Sequence, residues 1–230
     1  MMNLSIDTST RYATVALGDD GKVISELSWY SDQNHTVELV PNIELLLRRS
    51  EIEYSAISAI GVAIGPGNFS AVRVALSVAK GLAIALGVPV APASTLLIEA
   101  YPYLSSGFPV VAMIGAGRGQ VVAASYQKVS DGTLIETPKQ LLAFEDLISV
   151  YGADNNKPLL CGEGMGSMTH DELESARKSF VMTASEMGPS RHASSIIHLL
   201  TQGHIGLSED VATIEPIYAR SATITAPKVA

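Results

Sequence analysis

A buried strand, a glycine loop and a long apolar helix follow one another between Ile57 and Pro89. The run from Ile57 to Ile64 is uncharged and rich in β-branched residues, which is typical of a strand covered on both faces. Gly65-Pro66-Gly67 ends this strand. Apolar residues then recur at helical spacing from Ser70, the expected N-cap, to Leu86. The segment therefore predicts one strand–loop–helix unit of an α/β protein.

The loop of this unit allows two interpretations. Backbone amides at the start of a helix can hold an anion, which makes Gly65 and Gly67 candidates for a nucleotide or phosphate site. The loop does not follow the P-loop pattern and has no lysine at its end, so the alternative is a turn that only redirects the chain.

The helix of this unit also allows two interpretations. Small residues recur at every fourth position, at Ala71, Ala75, Ala79 and Ala83, and only Arg73, Ser77 and Lys80 give the helix polar cover. Such a helix either lies wholly in the core or offers a second apolar face to a partner.

Composition favours a cytoplasmic chain that uses part of its apolar surface to bind another protein. Hydrophobic residues make up 47% of the sequence, charged residues make up 17%, and the mean hydropathy is +0.26. Arg73 and Lys80 interrupt the best candidate for the roughly 18 apolar residues of a membrane span. The start of the sequence shows no secretory signal, and Cys161 is the single cysteine. We expect a reduced compartment and no membrane contact.

The charge balance argues against nucleic-acid binding by this chain alone. The formal net charge is −8, and the fifteen lysines and arginines are scattered along the sequence. A protein that neutralises phosphates needs clustered basic residues.

The order of elements predicts two lobes. Three strands, a helix from Thr36 to Arg49, and the strand–loop–helix unit give the order β-β-β-α-β-α, and the same order returns beyond the linker at 105–109. The two halves share element order rather than sequence. We predict ribonuclease-H-like lobes at residues 1–106 and 107–230, with mixed sheets flanked by helices, as in the actin, hexokinase and sugar-kinase group. A last helix, 189–202, is expected to pack back on the first lobe.

Few residues are candidates for chemistry. Asp7 ends the first strand, where the actin and hexokinase group places an aspartate that organises metal or phosphate; the alternative is an aspartate that only forms the turn. Ser9 lies in the same turn and completes the candidate phosphate site. His35 and Glu38 face the same way at the start of a helix and either bind something polar or serve as a cap and a solvated side chain.

Motifs of hydrolases and metalloenzymes are missing from the sequence. It contains no HExxH or HxxxH pair on a predicted helix and no GxSxG elbow. We therefore predict no catalytic residue and no metal site, in a kinase-like fold whose catalytic ends are eroded.

Four segments resemble the TsaB (YeaZ) family, which belongs to the bacterial machinery that makes N6-threonylcarbamoyladenosine at position 37 of tRNA. They are MMNLSIDTST at the start, HTVELVP from His35, GVAIGPGNFSAVRVALSVAKGLA from Gly61, and PIYAR from Pro216. The family pattern GPGSFTGLR is altered here at Asn68, Ser70, Ala71 and Val72. Its DAR loop is replaced by Gly115-Ala116-Gly117-Arg118, which lacks the acid.

The resemblance implies a role without catalysis. In this family the catalytic subunit is the paralogue TsaD, which carries metal-binding histidines, so the chain is expected to scaffold TsaD together with the ATPase TsaE. It further implies no cofactor of its own, ATP or ADP at most at the complex interface, and tRNA reached only through the complex, and it leaves open whether the isolated chain forms a homodimer. The alternatives are an ATP-dependent small-molecule kinase of the sugar or acetate kinase fold and an M22-type metallopeptidase.

The partner surface is predicted on the two helices that begin near Thr36 and Ser70. Both carry apolar residues beyond a single core stripe, and the resemblance places association there as well. The expected interface residues are His35, Glu38, Leu39, Asn42, Leu46, Val72, Arg73, Ala75, Leu76 and Ala79. Surplus apolar residues lie at Val37, Val40, Leu45, Val74, Val78 and Ile84.

Overall fold

The first half of the chain forms one mixed sheet in a computed structural model that describes residues 1–153, 155–183 and 191–220. The strand order is β3-β2-β1-β4-β5. Hairpins join β1, β2 and β3 in antiparallel fashion, whereas β4 and β5 run parallel to β1 after helical crossovers. The strands are β1 (Met2–Asp7), β2 (Tyr12–Asp19), β3 (Lys22–Tyr30), β4 (Ala59–Ala63) and β5 (Val90–Ala93).

The register of this sheet places two loops side by side. Ile6 of β1 pairs with Val62 of β4, so Asp7 and the loop from Gly65 to Gly67 leave the sheet at the same edge. The carboxyl ends of parallel strands share one edge, where ligand sites of α/β proteins form. The ends of β1 and β4 therefore set the position of a ligand site at this edge of the sheet.

Two helices cover one face of the first sheet and contact each other: α1 (His35–Arg49) and α2 (Phe69–Leu86). Their inner residues pack on β1, β2 and β4 in the core of the lobe. The predicted helix from Thr36 to Arg49 is confirmed, with Pro41 inside it. By length and composition alone α2 is apolar enough to cross a membrane, but it packs on the sheet with its inner face buried.

The second half forms a separate mixed sheet of order β11-β10-β6-β7-β8, in which β9 also pairs with β7. The predicted fold class, two mixed sheets with flanking helices, is therefore confirmed, although β9 was not predicted. The strands are β6 (Val110–Gly117), β7 (Gln120–Lys128), β8 (Leu134–Glu136), β9 (Gln140–Ala143), β10 (Leu159–Cys161) and β11 (Val181–Met182). The helices are α3 (Thr95–Ala100), α4 (Phe144–Tyr151) and α5 (His170–Ser179).

The helix predicted from Thr95 to Leu104 is shorter than expected. It ends at Ala100, and a 3-10 segment continues to Ser106, with Pro102 near its start. Proline lacks the amide donor that an α-helix needs in its interior, which explains the change of helix type. We propose the lobe boundary after this segment, between residues 106 and 107.

The last helix, α6 (Ser194–Thr201), packs on β1, β2, β3 and β4 of the first sheet. A Cβ on Gly61 of β4 would lie 2.5 Å from Cγ2 of Ile196, so the bare glycine allows this close approach. Ile196 also belongs to the core cluster that α3 forms with the second sheet. The helix was predicted over 189–202; residues 189 and 190 lie outside the described residues.

The N-cap of α2 is Asn68 rather than the predicted Ser70. The N-cap lies two residues earlier than expected, and the Asn68 side chain accepts hydrogen bonds from the amides of Ser70 and Ala71, both at 3.1 Å. At the other end Gly87 adopts a left-handed conformation with φ of 67°, as expected for a residue that ends a helix.

This capping geometry gives Asn68 and Ser70 different roles: Asn68 caps α2 and Ser70 does not. We predict that Asn68→Ala lowers the free energy of unfolding by about 1 kcal/mol, because two amides of the first turn lose their acceptor. Ser70→Ala is the matched control and should change it by less than about 0.5 kcal/mol, since the exposed Ser70 side chain caps nothing. Denaturant unfolding of both variants measures the difference. A larger loss in the Ser70 variant would contradict this assignment.

Candidate functional site

An open cleft of about 750 Å³ lies between the two lobes, above the edge where β1 and β4 end. The turn after β1, the start of α1 and the first turn of α2 line it on the first lobe. On the other side it is lined by the end of β6, by Glu163 and by residues 218–220. We call this space the inter-lobe cleft.

Asp7 lies beneath the inter-lobe cleft with its side chain fully engaged. Asp7 is completely buried. Oδ1 accepts hydrogen bonds from the Ser9 amide at 2.8 Å and from the Ser9 hydroxyl at 2.6 Å. Oδ2 accepts a hydrogen bond from Nε of Arg191 in a buried ion pair. The aspartate thus forms the turn, and its remaining oxygen is bound to a cation from the far end of the chain.

Arg191 fills the space beside Asp7 and is 1% exposed. Its guanidinium donates to Glu163 Oε1 at 2.9 Å and to Thr10 Oγ1 at 2.8 Å, and it lies 3.8 Å from Oε2 of the buried Glu99. Burial by itself lowers the pKa of the guanidinium, but the charges of Asp7, Glu163 and Glu99 outweigh burial and raise it above its ordinary value. Arg191 therefore stays charged and neutralises the acids around it.

These contacts of Asp7 make it unsuited to hold a metal ion. An aspartate that organises Mg²⁺ must offer oxygens to the ion and to its waters. Here a guanidinium and a serine take those oxygens. Within the described ranges, no three His, Cys, Asp or Glu side chains come together as a metal-ligand set.

The glycine loop is filled by the chain's own backbone. A Cβ on Gly65 would lie 2.2 Å from the carbonyl oxygen of Ile217, and one on Gly67 would lie 2.3 Å from the carbonyl oxygen of Ser9. The glycines thus make room for two backbone segments. The amide of Asn68 donates to the Ser9 carbonyl at 2.7 Å, and the Asn68 side chain accepts from the amides of Ser70 and Ala71 in α2. Little of this loop remains open to a phosphate.

Residues 214–220, which we call the C-terminal strap, close the cleft on one side. The Ile217 amide donates to the carbonyl of Ile64 at 2.6 Å, at the end of β4. Tyr218 stacks on Phe69 with ring centroids 4.8 Å apart and accepts a hydrogen bond from Arg73 Nε at 2.9 Å. Arg220 then donates to the carbonyl of Gly117 at 3.1 Å in the second lobe. The strap joins the first turn of α2 to the β6–β7 hairpin.

His35 and Glu38 bind parts of their own lobe rather than an external ligand. The buried His35 donates from Nε2 to the carbonyl of Thr10 at 2.9 Å. Glu38 accepts a hydrogen bond from Nε1 of Trp29 on β3 at 3.0 Å. Both residues therefore fasten α1 to the strands beside the cleft.

The structure corrects most of the predicted interface stripe. Seven of the ten expected interface residues are buried against their own lobe, because these faces of α1 and α2 pack on the sheet and on each other. They are His35, Leu39, Leu46, Val72, Ala75, Leu76 and Ala79. Of the remaining three, Arg73 is exposed and Glu38 and Asn42 are half-buried.

The surplus apolar residues lie on the outer face of the two helices. Val37 is 71% exposed, Ile84 is 70% exposed and Val40 is 41% exposed. Leu45, Val74 and Val78 are half-buried, and Val74 and Val78 pack against the core of their own lobe. We call the three exposed residues the outer helix face.

Comparison with known proteins identifies the family. A family model described as TsaD, tRNA N6-adenosine threonylcarbamoyltransferase, matches residues 28–190. The tRNA threonylcarbamoyladenosine biosynthesis protein TsaB of Bacillus subtilis (strain 168) is 30% identical over 193 residues, which cover 82% of this chain and 83% of that protein. The chain belongs to the TsaB (YeaZ) family. The predicted family is thereby confirmed.

Solved structures agree with TsaB (YeaZ) membership. YeaZ from Pseudomonas aeruginosa superposes with a TM-score of 0.74 at 26% identity, over 94% of this chain and 99% of that one. The ethanolamine utilization protein EutJ from Carboxydothermus hydrogenoformans has a TM-score of 0.52 at 11% identity, over 87% and 90% of the two chains, and shows the fold alone. The fold is of the actin and hexokinase type.

Arg191 is the site residue that sequence reasoning missed in this TsaB-family chain. It is 184 residues from Asp7 and 28 from Glu163. One signal was present: Glu99 interrupts the apolar run Thr95–Ala100, and an acid on a buried helix needs a cation. The sequence does not say which of its arginines supplies that cation.

We predict that Arg191→Met strongly destabilises the chain. Removing the guanidinium leaves the buried carboxylate of Asp7 without its cation, which should cost about 3–5 kcal/mol of unfolding free energy. Arg177→Met is the matched control, because Arg177 is 66% exposed and its ion pair with Glu174 should contribute little. Denaturant unfolding measures both variants. Equal stability of the two would show that the buried cluster does not hold the lobes together.

Proposed function

We propose that this chain is a non-catalytic subunit of the machinery that makes N6-threonylcarbamoyladenosine in tRNA, where it binds and supports the catalytic paralogue TsaD. TsaE is the further member of the assembly, and the cytoplasm is the place of action. The observation that carries the proposal is the buried ion pair of Asp7 and Arg191, which engages the carboxylate that a kinase of this fold would need for its metal ion.

Catalysis by a kinase-like fold needs a carboxylate for Mg²⁺ and backbone amides for the phosphates. In this chain both are engaged internally, the carboxylate by Arg191 and Ser9 and the amides by Asn68 and Ser9. A chain without these two elements has to contribute by binding. This supports a subunit role over the kinase alternative.

The outer helix face supplies a surface for binding. Val37 and Val40 near the start of α1 and Ile84 near the end of α2 are exposed apolar side chains on the same helix pair, and exposed apolar side chains of this kind are a feature of partner surfaces. Gly81 lies inside α2 and is exposed, and a Cβ there would meet no atom of the described residues within 4 Å. A mid-helix glycine costs about 1 kcal/mol relative to alanine, and none of the described contacts requires it. Close approach by a second helix is a reason for a glycine at this position.

The occupant that we propose is TsaD. The match to the threonylcarbamoyltransferase family model supports a partner whose first lobe carries an equivalent pair of helices. Two such helix pairs can pack face to face and bury apolar side chains from both. The same face would serve a homodimer when TsaD is absent.

We predict that Ile84→Asp and Gly81→Leu reduce TsaD binding at least tenfold and leave the chain folded. The aspartate places a charge in the interface, and the leucine blocks close approach while removing the helix penalty of glycine. Titration calorimetry with purified TsaD measures affinity, and thermal unfolding measures the fold.

Ile135→Asp is the matched control, because Ile135 is 51% exposed but lies on β8 of the second lobe. It should bind TsaD like the wild type. Ala75→Arg should simply unfold, because Ala75 is completely buried. The surface is wrongly placed if the Ile84 and Gly81 variants keep wild-type affinity while folded.

The non-catalytic role is tested separately from the surface. We expect the purified chain to hydrolyse ATP no faster than its Asp7→Ala variant, and to raise threonylcarbamoyladenosine formation when it is added to TsaD, TsaE, tRNA and threonylcarbamoyl-adenylate. ATP turnover by the chain alone that disappears in Asp7→Ala, while thermal unfolding shows that this variant stays folded, would establish the kinase alternative. Stoichiometric zinc in metal analysis would instead point to the metallopeptidase.

A further inference from the structure

The two sides of the inter-lobe cleft are joined by contacts of different kinds. On the inner side the lobes share buried apolar side chains and the ion pair of Arg191 with Glu163. On the outer side Arg220 of the C-terminal strap reaches the β6–β7 hairpin of the second lobe through hydrogen bonds. The two sides therefore differ in how easily the lobes can separate there.

The inner side resists separation of the lobes. One core cluster contains Ala63 of β4, Ile196 of α6 and Ile114 of β6, all of them buried. Glu163 of the second lobe accepts a hydrogen bond from Arg191 at 2.9 Å. Opening the structure on this side would expose apolar side chains to water and break the ion pair. The inner side is thus the place where the lobes stay joined.

The C-terminal strap is fixed to the first lobe as far as Tyr218. The amide of Ile217 donates to the carbonyl of Ile64 at 2.6 Å. The Tyr218 ring stacks on Phe69, and the Tyr218 hydroxyl accepts a hydrogen bond from Arg73 at 2.9 Å. These contacts lie at the end of β4 and at the start of α2, so this part of the strap moves with the first lobe.

Arg220 connects the strap to the second lobe. Its Nη2 donates to the carbonyl of Gly117 at 3.1 Å and to Oε1 of Gln120, both in the β6–β7 hairpin. The Nε of the same guanidinium is buried and has no hydrogen-bond acceptor among the described residues. A buried donor without an acceptor costs free energy, and separation of the lobes would let water bind it. The closed contact therefore carries a cost that its release removes.

We propose that Arg220 is a latch that holds the two lobes closed without a ligand, and that the lobes open on this side, about the inner contacts, when the latch releases. Release breaks the bonds of Arg220 with the hairpin and leaves the strap up to Tyr218 on the first lobe. Two-lobed proteins often close around a ligand by a hinge motion. In this chain a side chain of the protein itself does the closing, which fixes the surfaces of the two lobes that a partner meets together.

Spin labels on the two lobes measure the opening. Ser77→Cys on α2 and Lys178→Cys on α5 introduce labels at exposed positions, and the native Cys161 is completely buried. Dilution with unlabelled chain restricts pulsed electron paramagnetic resonance to distances within one molecule. The wild-type chain should give one narrow distance distribution. Arg220→Met should raise the population at a second distance about tenfold, because two hydrogen bonds of a charged group are lost.

Two further variants assign the effect to the latch. Gln120→Glu places a carboxylate against Arg220 and should suppress the second population, because an ion pair replaces a neutral acceptor. Arg118→Met is the matched control, since Arg118 is an exposed arginine of the same hairpin, and it should behave like the wild type. Thermal unfolding checks that each variant is folded. Should Arg220→Met not fold, Gln120→Met removes the side-chain acceptor from the second lobe and takes its place.

Hydrogen exchange at the Ile217 amide locates the point of release. Its rate should stay at the wild-type value in Arg220→Met, because the strap remains on the first lobe. Unchanged label distances in Arg220→Met would overturn the proposal, and so would an equal change in Arg118→Met. Faster exchange at Ile217 with unchanged distances would show a strap that only frays, which also overturns it. None of these measurements uses TsaD, so their failure would leave the proposed scaffold role untouched.

Discussion

The guanidinium of Arg191 is the interaction on which the centre of this structure depends. It lies just before α6 and bonds to the turn after β1 and to Glu163 of the second lobe, with Glu99 of α3 close by. Three buried or half-buried acids would otherwise repel one another in a medium of low dielectric constant. One cation placed among them turns that repulsion into a link between segments remote in sequence.

The ion pair of Arg191 and Asp7 also distinguishes this chain from a kinase of the same fold. In a kinase-like fold the end of β1 and the glycine loop after β4 face an open space for nucleotide and metal. Here Arg191, Ser9 and the C-terminal strap fill that end from within, so the polar groups satisfy each other. Ser9 and the glycine loop are residue types that suit a phosphate site, and the hydrogen bonds of Ser9 and Asn68 are made within the chain. What remains open is the outer part of the cleft, lined by rings and arginines.

Local sequence patterns predicted most of the fold, but they could not predict contacts between residues far apart in the sequence. The strand–loop–helix unit, α1 and the glycine at the end of α2 follow from periodicity and capping, which depend on near neighbours. β9 was not predicted because its four residues are too few to show a clear alternation of apolar and polar side chains. The N-cap of α2 was misassigned because Asn68 and Ser70 are both good caps, and the backbone angles of Asn68 decide between them. The Arg191 cluster joins residues 28 to 184 positions apart, so periodicity carries no trace of it.

The orientation of α2 was undecidable from sequence for a physical reason. Its alanine stripe at 71, 75, 79 and 83 and its outer residues Ser77, Gly81 and Ala85 are both built from small side chains, and both suit close packing. Alanine gains stability by burial without losing side-chain entropy, so the alanine stripe suits the sheet. Glycine gains nothing from burial against its own lobe and weakens the helix. The glycine is therefore the residue that marks the outer side, and its position beside Ile84 is the reason to assign that side to a partner helix.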